Sequence, residues 1–119
     1  MSYEEPEAYE HLTPELIGLS HKLTELGIAD RAWSIGDLLV VLDYLGGRPV
    51  AILGGDVYEK SGGRIVPTYE NWHCDRGIQE EFKVFAARSL ACARDWASEH
   101  LKGRPSGVLV GLVLSLEDQ

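Results

Sequence analysis

PVAILGGDVYEKSGGRIVP, residues 49–67, is the stretch on which the fold turns. Val50-Ala51-Ile52-Leu53 is a short apolar run, Gly54-Gly55 interrupts it, and Asp56-Val57-Tyr58-Glu59-Lys60 then alternates polar with apolar. A period of two marks a strand with one buried face. Two glycines inside such a strand make a bulge or let another group come close to the backbone. Ser61-Gly62-Gly63 supplies a turn, and Arg64-Ile65-Val66 returns as the hairpin partner. Pro67 has no N–H to give to a ladder, so this partner is expected to stop there or to lie at a sheet edge. Residues 68–75 read as extended, a third short strand.

Toward the C-terminus the period changes to that of a helix. Ile78, Phe82, Phe85, Leu90, Ala93, Trp96, Ala97 and Leu101 make a broad apolar face across residues 77–101. Asp75 is the expected N-cap, and Gly103 and Pro105 end the element. Val108-Leu109-Val110-Gly111-Leu112-Val113-Leu114 is then almost unbroken in its apolarity, which suits a strand covered on both faces in the middle of a sheet. Joined to the first strand through the long helix, it is expected to lie parallel to it after a right-handed crossover.

Toward the N-terminus, Ser34 caps a second helix whose Leu38, Val41, Leu42 and Leu45 recur at helical spacing before Gly46-Gly47. Leu39 and Val40 are apolar too, which leaves a strand as the alternative, but length and caps favour the helix. Thr13-Pro14-Glu15 opens a first helix, with Leu16, Leu19, Leu23 and Leu26 as its stripe and Gly27 as its stop. Residues 1–12 read as a loose acidic arm. The expected fold is therefore α+β and a single domain over residues 1–119. It has a small sheet of three to four mainly antiparallel strands, with a hairpin near 49–67 and a central C-terminal strand at 107–115, packed against about three helices.

Composition narrows the function. The chain has 119 residues, 45% of them hydrophobic, which is enough for one core without disulfide staples. No apolar run reaches the roughly 20 residues that cross a bilayer, and the acidic N-terminus lacks the basic start and apolar stretch of a secretory signal. No membrane association and a cytoplasmic location are expected. Cys74 and Cys92 read as free thiols in a reducing compartment. The formal net charge is −8, and seven acids stand against Lys22 alone in the first thirty residues. Such a surface repels nucleic acid, whose binding needs cations to displace counterions, and draws a basic partner.

No catalytic constellation emerges, and an enzyme is not expected. Gly54-Gly55-Asp56 resembles the metal-dependent cyclases that make cyclic dinucleotides, but Val57 stands where their second acid would be. His73-Cys74-Asp75 points its side chains to alternate faces and lacks paired ligands at two-to-four spacing, so no metal or cofactor is expected. Neither a nucleophile elbow nor a phosphate loop occurs. What remains is a set of exposed polar and aromatic residues: Asp56, Tyr58, Glu59, Tyr69, Asn71 and Trp72. Tyr and Trp bury large area at small entropic cost, which suits a protein-binding surface. Trp72 and Tyr69 packed as a lid over the hairpin are the structural alternative. Trp33 and Trp96 are expected in the core.

Two strings carry a family resemblance. ILGGDVYEKSGGRIVPTYENWHCD, residues 52–75, and EEFKVFAARSLACARDW, residues 80–96, resemble the immunity protein 40 family of bacterial polymorphic-toxin systems. The Gly54–Tyr58 motif matches directly, as do Tyr69, Asn71 and Trp72, with Glu70 replacing an aspartate; residues 34–114 cover most of the family plan. The resemblance implies an antidote that binds a cognate toxin protein, and the six residues above are its expected contact surface. A small ligand-binding or enzymatic domain with a pocket near Gly54-Gly55 is the alternative reading, and a homodimer built on an exposed apolar face is a third.

Overall fold

The structure, a computed structural model, describes residues 5–117. Its elements in chain order are α1 (Pro14–Leu19), β1 (His21–Lys22), β2 (Arg31–Ser34), α2 (Ile35–Leu45), β3 (Val50–Ser61), β4 (Arg64–His73), α3 (Phe82–His100) and β5 (Val108–Leu116). Short 3-10 turns at Glu7–His11 and Thr24–Leu26 complete the path. The strands form one five-stranded sheet in the order β1-β2-β5-β3-β4, antiparallel at every step. The α+β class holds, with five strands rather than three to four.

β5 lies mid-sheet, as its apolarity requires, but antiparallel to β3. The expected parallel pair overlooked the hairpin. The return along β4 reverses the chain, and α3 carries it back to the end at which β4 began. β5 therefore runs in the direction of β4, with β3 between them. Its residues serve both faces in turn. Val108, Val110, Leu112 and Leu114 join the main core with Leu38, Val41, Leu42 and Leu45 of α2 and Ala93 and Ala97 of α3. Leu109 joins a smaller cluster on the other face, with Leu23, Ala32, Tyr58 and Ile65.

Local chemistry explains the element boundaries. Ser34 caps α2 by accepting from the Asp37 N–H at 3.4 Å, and Thr13 caps α1 by accepting from the Leu16 N–H at 3.1 Å. α1 ends at Leu19 rather than running to Leu26. A straight helix would hold Leu16 and Leu23 on one stripe, whereas the fold sends Leu16 to the main core and Leu23 to the opposite cluster. β1 makes that crossing, pairing with β2. α3 begins at Phe82, not at Gly77: Gln79 sits at φ 64, a left-handed turn that no helix passes through, and Ile78 is 98% exposed. Asp75 is not its cap. Glu80 turns back instead to accept from the Gly77 N–H at 2.7 Å.

The expected loose arm is packed from Ala8 onward: Ala8, Tyr9 and Leu12 are buried, and residues 1–4 lie outside the described range. The Tyr9 hydroxyl accepts from the Arg31 N–H at 2.8 Å, and the ring meets Trp33 edge-on at 6.2 Å. Trp33 has no exposed surface and donates from Nε1 to the Leu16 carbonyl at 2.8 Å, which satisfies its buried indole.

Both margins of the β3–β4 hairpin are finished by side chains. The β4 ladder starts on β3 only at Gly54, which leaves Val50–Leu53 without a strand on that side. There the buried Ser89 hydroxyl of α3 accepts from the Ile52 N–H and donates to the Ala86 carbonyl, each at 2.9 Å. On the outer margin of β4, Glu25 takes the Ile65 N–H at 3.3 Å, Pro67 has none to offer, and Thr68 takes the Glu70 N–H at 3.2 Å.

Candidate functional site

The glycine pair organises the hairpin. The β3–β5 register slips between Ile52 and Gly54, and Trp72 fills the room left by the two missing side chains. A Cβ on Gly54 would stand 2.2 Å from the Trp72 carbonyl oxygen, and one on Gly55 would stand 2.2 Å from the Trp72 ring. The space beside Gly55 is therefore occupied by this chain's own indole, and that beside Gly54 by the Trp72–His73 backbone. Hollows open elsewhere, such as a groove of about 800 Å³ between the start of α2 and the end of α3, lined by Ile35, Leu39, Leu101 and Lys102.

Trp72 stacks on Trp96 at 4.2 Å, and Trp96 stacks on His100 at 5.2 Å, so an aromatic column climbs α3. Trp96 is half-buried in this column rather than enclosed in the core. Beside it Arg104 grips Glu70 with two hydrogen bonds of 2.8 and 2.6 Å. That pair holds the Glu70 carboxyl below its usual range, the hydrogen bond from Arg104 being the main cause. Glu59 adds charge near Arg104 on this side.

The other face of the hairpin has a different character. Asn71 stands opposite Asp56, Asp56 opposite Gly111, and Gly111 opposite Ala32, so one row crosses four strands. Gly111 has no side chain, and the Tyr58 ring lies against it: a Cβ there would stand 3.4 Å from the ring and 3.2 Å from the Arg31 carbonyl oxygen. Asp30, just before β2, comes within reach of Asp56: burial, and then the charge of Asp56, push its carboxyl above the ordinary value. Tyr58 lies beneath, 7% exposed, with its hydroxyl pushed up to about 12 by burial first and then by Asp56 and Asp30. Among the described residues neither aspartate has an ion-pair partner within reach.

Between the two faces β4 bulges. Three residues, Thr68, Tyr69 and Glu70, stand against Val57 alone. The Thr68 hydroxyl donates to the Val57 carbonyl at 3.0 Å, and the Asn71 amide donates to the Tyr69 carbonyl at 3.2 Å. These bonds hold Tyr69 at φ 69, a conformation unfavourable for a ring-bearing residue, and leave its side chain 84% exposed.

The six sequence-derived residues thus divide. Asp56 and Asn71 share the outer face, and Tyr69 projects at its margin. Tyr58 is buried below, while Trp72 and Glu59 belong to the helix side. Asp30 was missed because nothing local marks it; its only signal was membership of the acid-rich first thirty residues. Among the described residues no three His, Cys, Asp or Glu side chains converge as a metal would require, and no helix is long and apolar enough to cross a membrane.

A family model described as immunity protein 40 matches residues 22–114. The chain belongs to the immunity protein 40 family. The matched span runs from β1 nearly to the end of β5 and contains Asp30, Gly54, Gly55, Asp56, Tyr69, Asn71 and Trp72. Comparisons with curated proteins and with solved structures found no match.

Proposed function

We propose that this member of the immunity protein 40 family is an antidote that binds a cognate bacterial toxin through the outer face of its hairpin and performs no chemistry on it. Asp56, Asn71 and Asp30 supply polar contact there, and Tyr69 supplies a rigid aromatic anchor at the margin. Tyr58 and Trp72 act from within, the first under the aspartates and the second by setting the hairpin against α3. The observation that carries this reading is that Asp56 and Asp30, on a sheet face that α2 and α3 do not cover, lie close enough for the charge of one to raise the carboxyl of the other, neither with an ion-pair partner among the described residues. Two unneutralised carboxylates side by side favour a partner that brings the missing positive charge. A toxin whose working surface is basic, as one acting on nucleic acid would have, fits that demand.

The test is binding of purified toxin to the native chain and to Asp56→Lys and Tyr69→Ala. Asp56→Lys should weaken binding by roughly 10- to 100-fold, mostly through slower association, and less so at high salt. Tyr69→Ala should act mainly on dissociation and without salt dependence. If both variants keep native circular dichroism and native affinity, the outer face is not the contact surface.

A further inference from the structure

Two thiols that the proposed binding surface does not use lie together at the foot of the hairpin. Cys74 follows directly on β4 and is buried; its backbone N–H donates to the Leu53 carbonyl at 2.8 Å, which fixes the residue against β3. Cys92 lies on α3, half-buried, and packs against the cluster that Cys74 forms with Ala51, Phe82, Phe85 and Ala86. Arg88, one helical turn before Cys92, points its guanidinium at the Cys74 sulfur at 3.3 Å. The same guanidinium is anchored by Glu80, at 2.8 and 2.9 Å, and by the Asp75 carbonyl at 2.6 Å. Burial and then the neighbouring Cys74, within hydrogen-bonding reach, push the Cys92 thiol up. Both thiols are free. Cys92, on a helix, is the more exposed of the two, and Cys74 is enclosed beside a fixed cation.

We propose that Cys92 and Cys74 are the attacking and resolving thiols of a site that takes a small disulfide and closes a bridge between α3 and the end of β4. The Cys92 thiolate attacks one sulfur of the small disulfide; that S–S bond breaks, one small thiolate leaves and takes up a proton, and a mixed disulfide forms on Cys92. Cys74 then loses its proton to water, with Arg88 stabilising the thiolate, and attacks the Cys92 sulfur. The second small thiolate leaves and is protonated. The two protein thiols have lost two electrons and two protons, and the small disulfide has become two thiols. The closed bridge ties the chain that follows Asn71 and Trp72 to the helix on which Trp72 stacks.

The experiment uses the full chain and oxidised glutathione, with acid quenching, alkylation of remaining thiols and mass analysis. The native chain should become two hydrogens lighter, with neither Cys74 nor Cys92 alkylated. Cys74→Ser should halt at a glutathione adduct on Cys92, and Cys92→Ser should react at least tenfold more slowly than the native chain. Arg88→Lys should retain capture but accumulate the mixed disulfide before closure. A stable glutathione adduct on the native chain, or two thiols still alkylated after prolonged exposure, overturns the proposal. So does bridging that the Arg88→Lys change leaves at native rate, because the guanidinium would then have no part in it. The outcome is independent of toxin binding.

Discussion

Building a Cβ on Gly55 would place it 2.2 Å from the Trp72 ring and 2.6 Å from the Gly111 carbonyl oxygen. The ring can turn aside, at the expense of its stack on Trp96, but the carbonyl belongs to β5 and moves only with the sheet. Gly55→Ala should therefore lower stability by about 3 kcal/mol, read as a lower urea midpoint. Adding Trp72→Leu should restore only part of that loss, since the carbonyl clash persists. Tyr58 offers a pH signature. Its hydroxyl ionises near pH 10 in the unfolded chain and at about 12 in the fold, so the unfolded state loses its proton first. Stability is fully present below pH 10 and falls as the pH rises towards 12. Tyr9 is shifted in the same direction by burial, so the Tyr58 share is the part of this fall that disappears in Tyr58→Phe. Equal alkaline slopes in the two proteins would remove Tyr58 from the explanation.

At the scale of elements, the margin of β3 depends on a single hydroxyl. Ser89→Ala leaves the Ile52 N–H buried without an acceptor and should cost about 1–3 kcal/mol, with faster hydrogen exchange at the Ile52 amide than at its neighbours. Elements closed by local chemistry were legible in the sequence: Ser34 and Gly46 bracket α2, and the Gly62-Gly63 turn returns β4 at the sheet edge. The misreadings share a cause, which is that distant contacts decided between local options of similar quality. The stripe through Leu16 and Leu23 suits a helix, but two clusters on opposite faces claim its members. Gln79 carries no helix-breaking mark, yet its positive φ moves the start of α3 to Phe82. For the candidate site, Asp56, Tyr69 and Asn71 were visible as a string. Their division from Trp72 depends on the pleat and the bulge, and Asp30 reaches Asp56 only once β2, which begins at the next residue, has joined the sheet.

Across the whole molecule, the acid-rich N-terminal segment gains its meaning by folding onto the sheet, because Asp30 then comes within reach of the charge of Asp56. Much of the net charge of −8 is spread over the surface, but this concentrated pair should dominate short-range attraction. Raising salt from low to physiological strength should slow association with a basic partner several-fold in the native chain. The slope should flatten in Asp30→Asn/Asp56→Asn, and stopped-flow mixing would show it; parallel slopes would spread the effect over the surface at large. The outer margin of β4 bears on a different matter, the company the protein keeps with itself. Glu25, Pro67 and Thr68 deny a second hairpin the rungs it would need to climb on, so neighbouring molecules have no rail along which to stack. An edge blunted in this way is a poor template for fibril growth, so the chain should stay dispersed in concentrated solution.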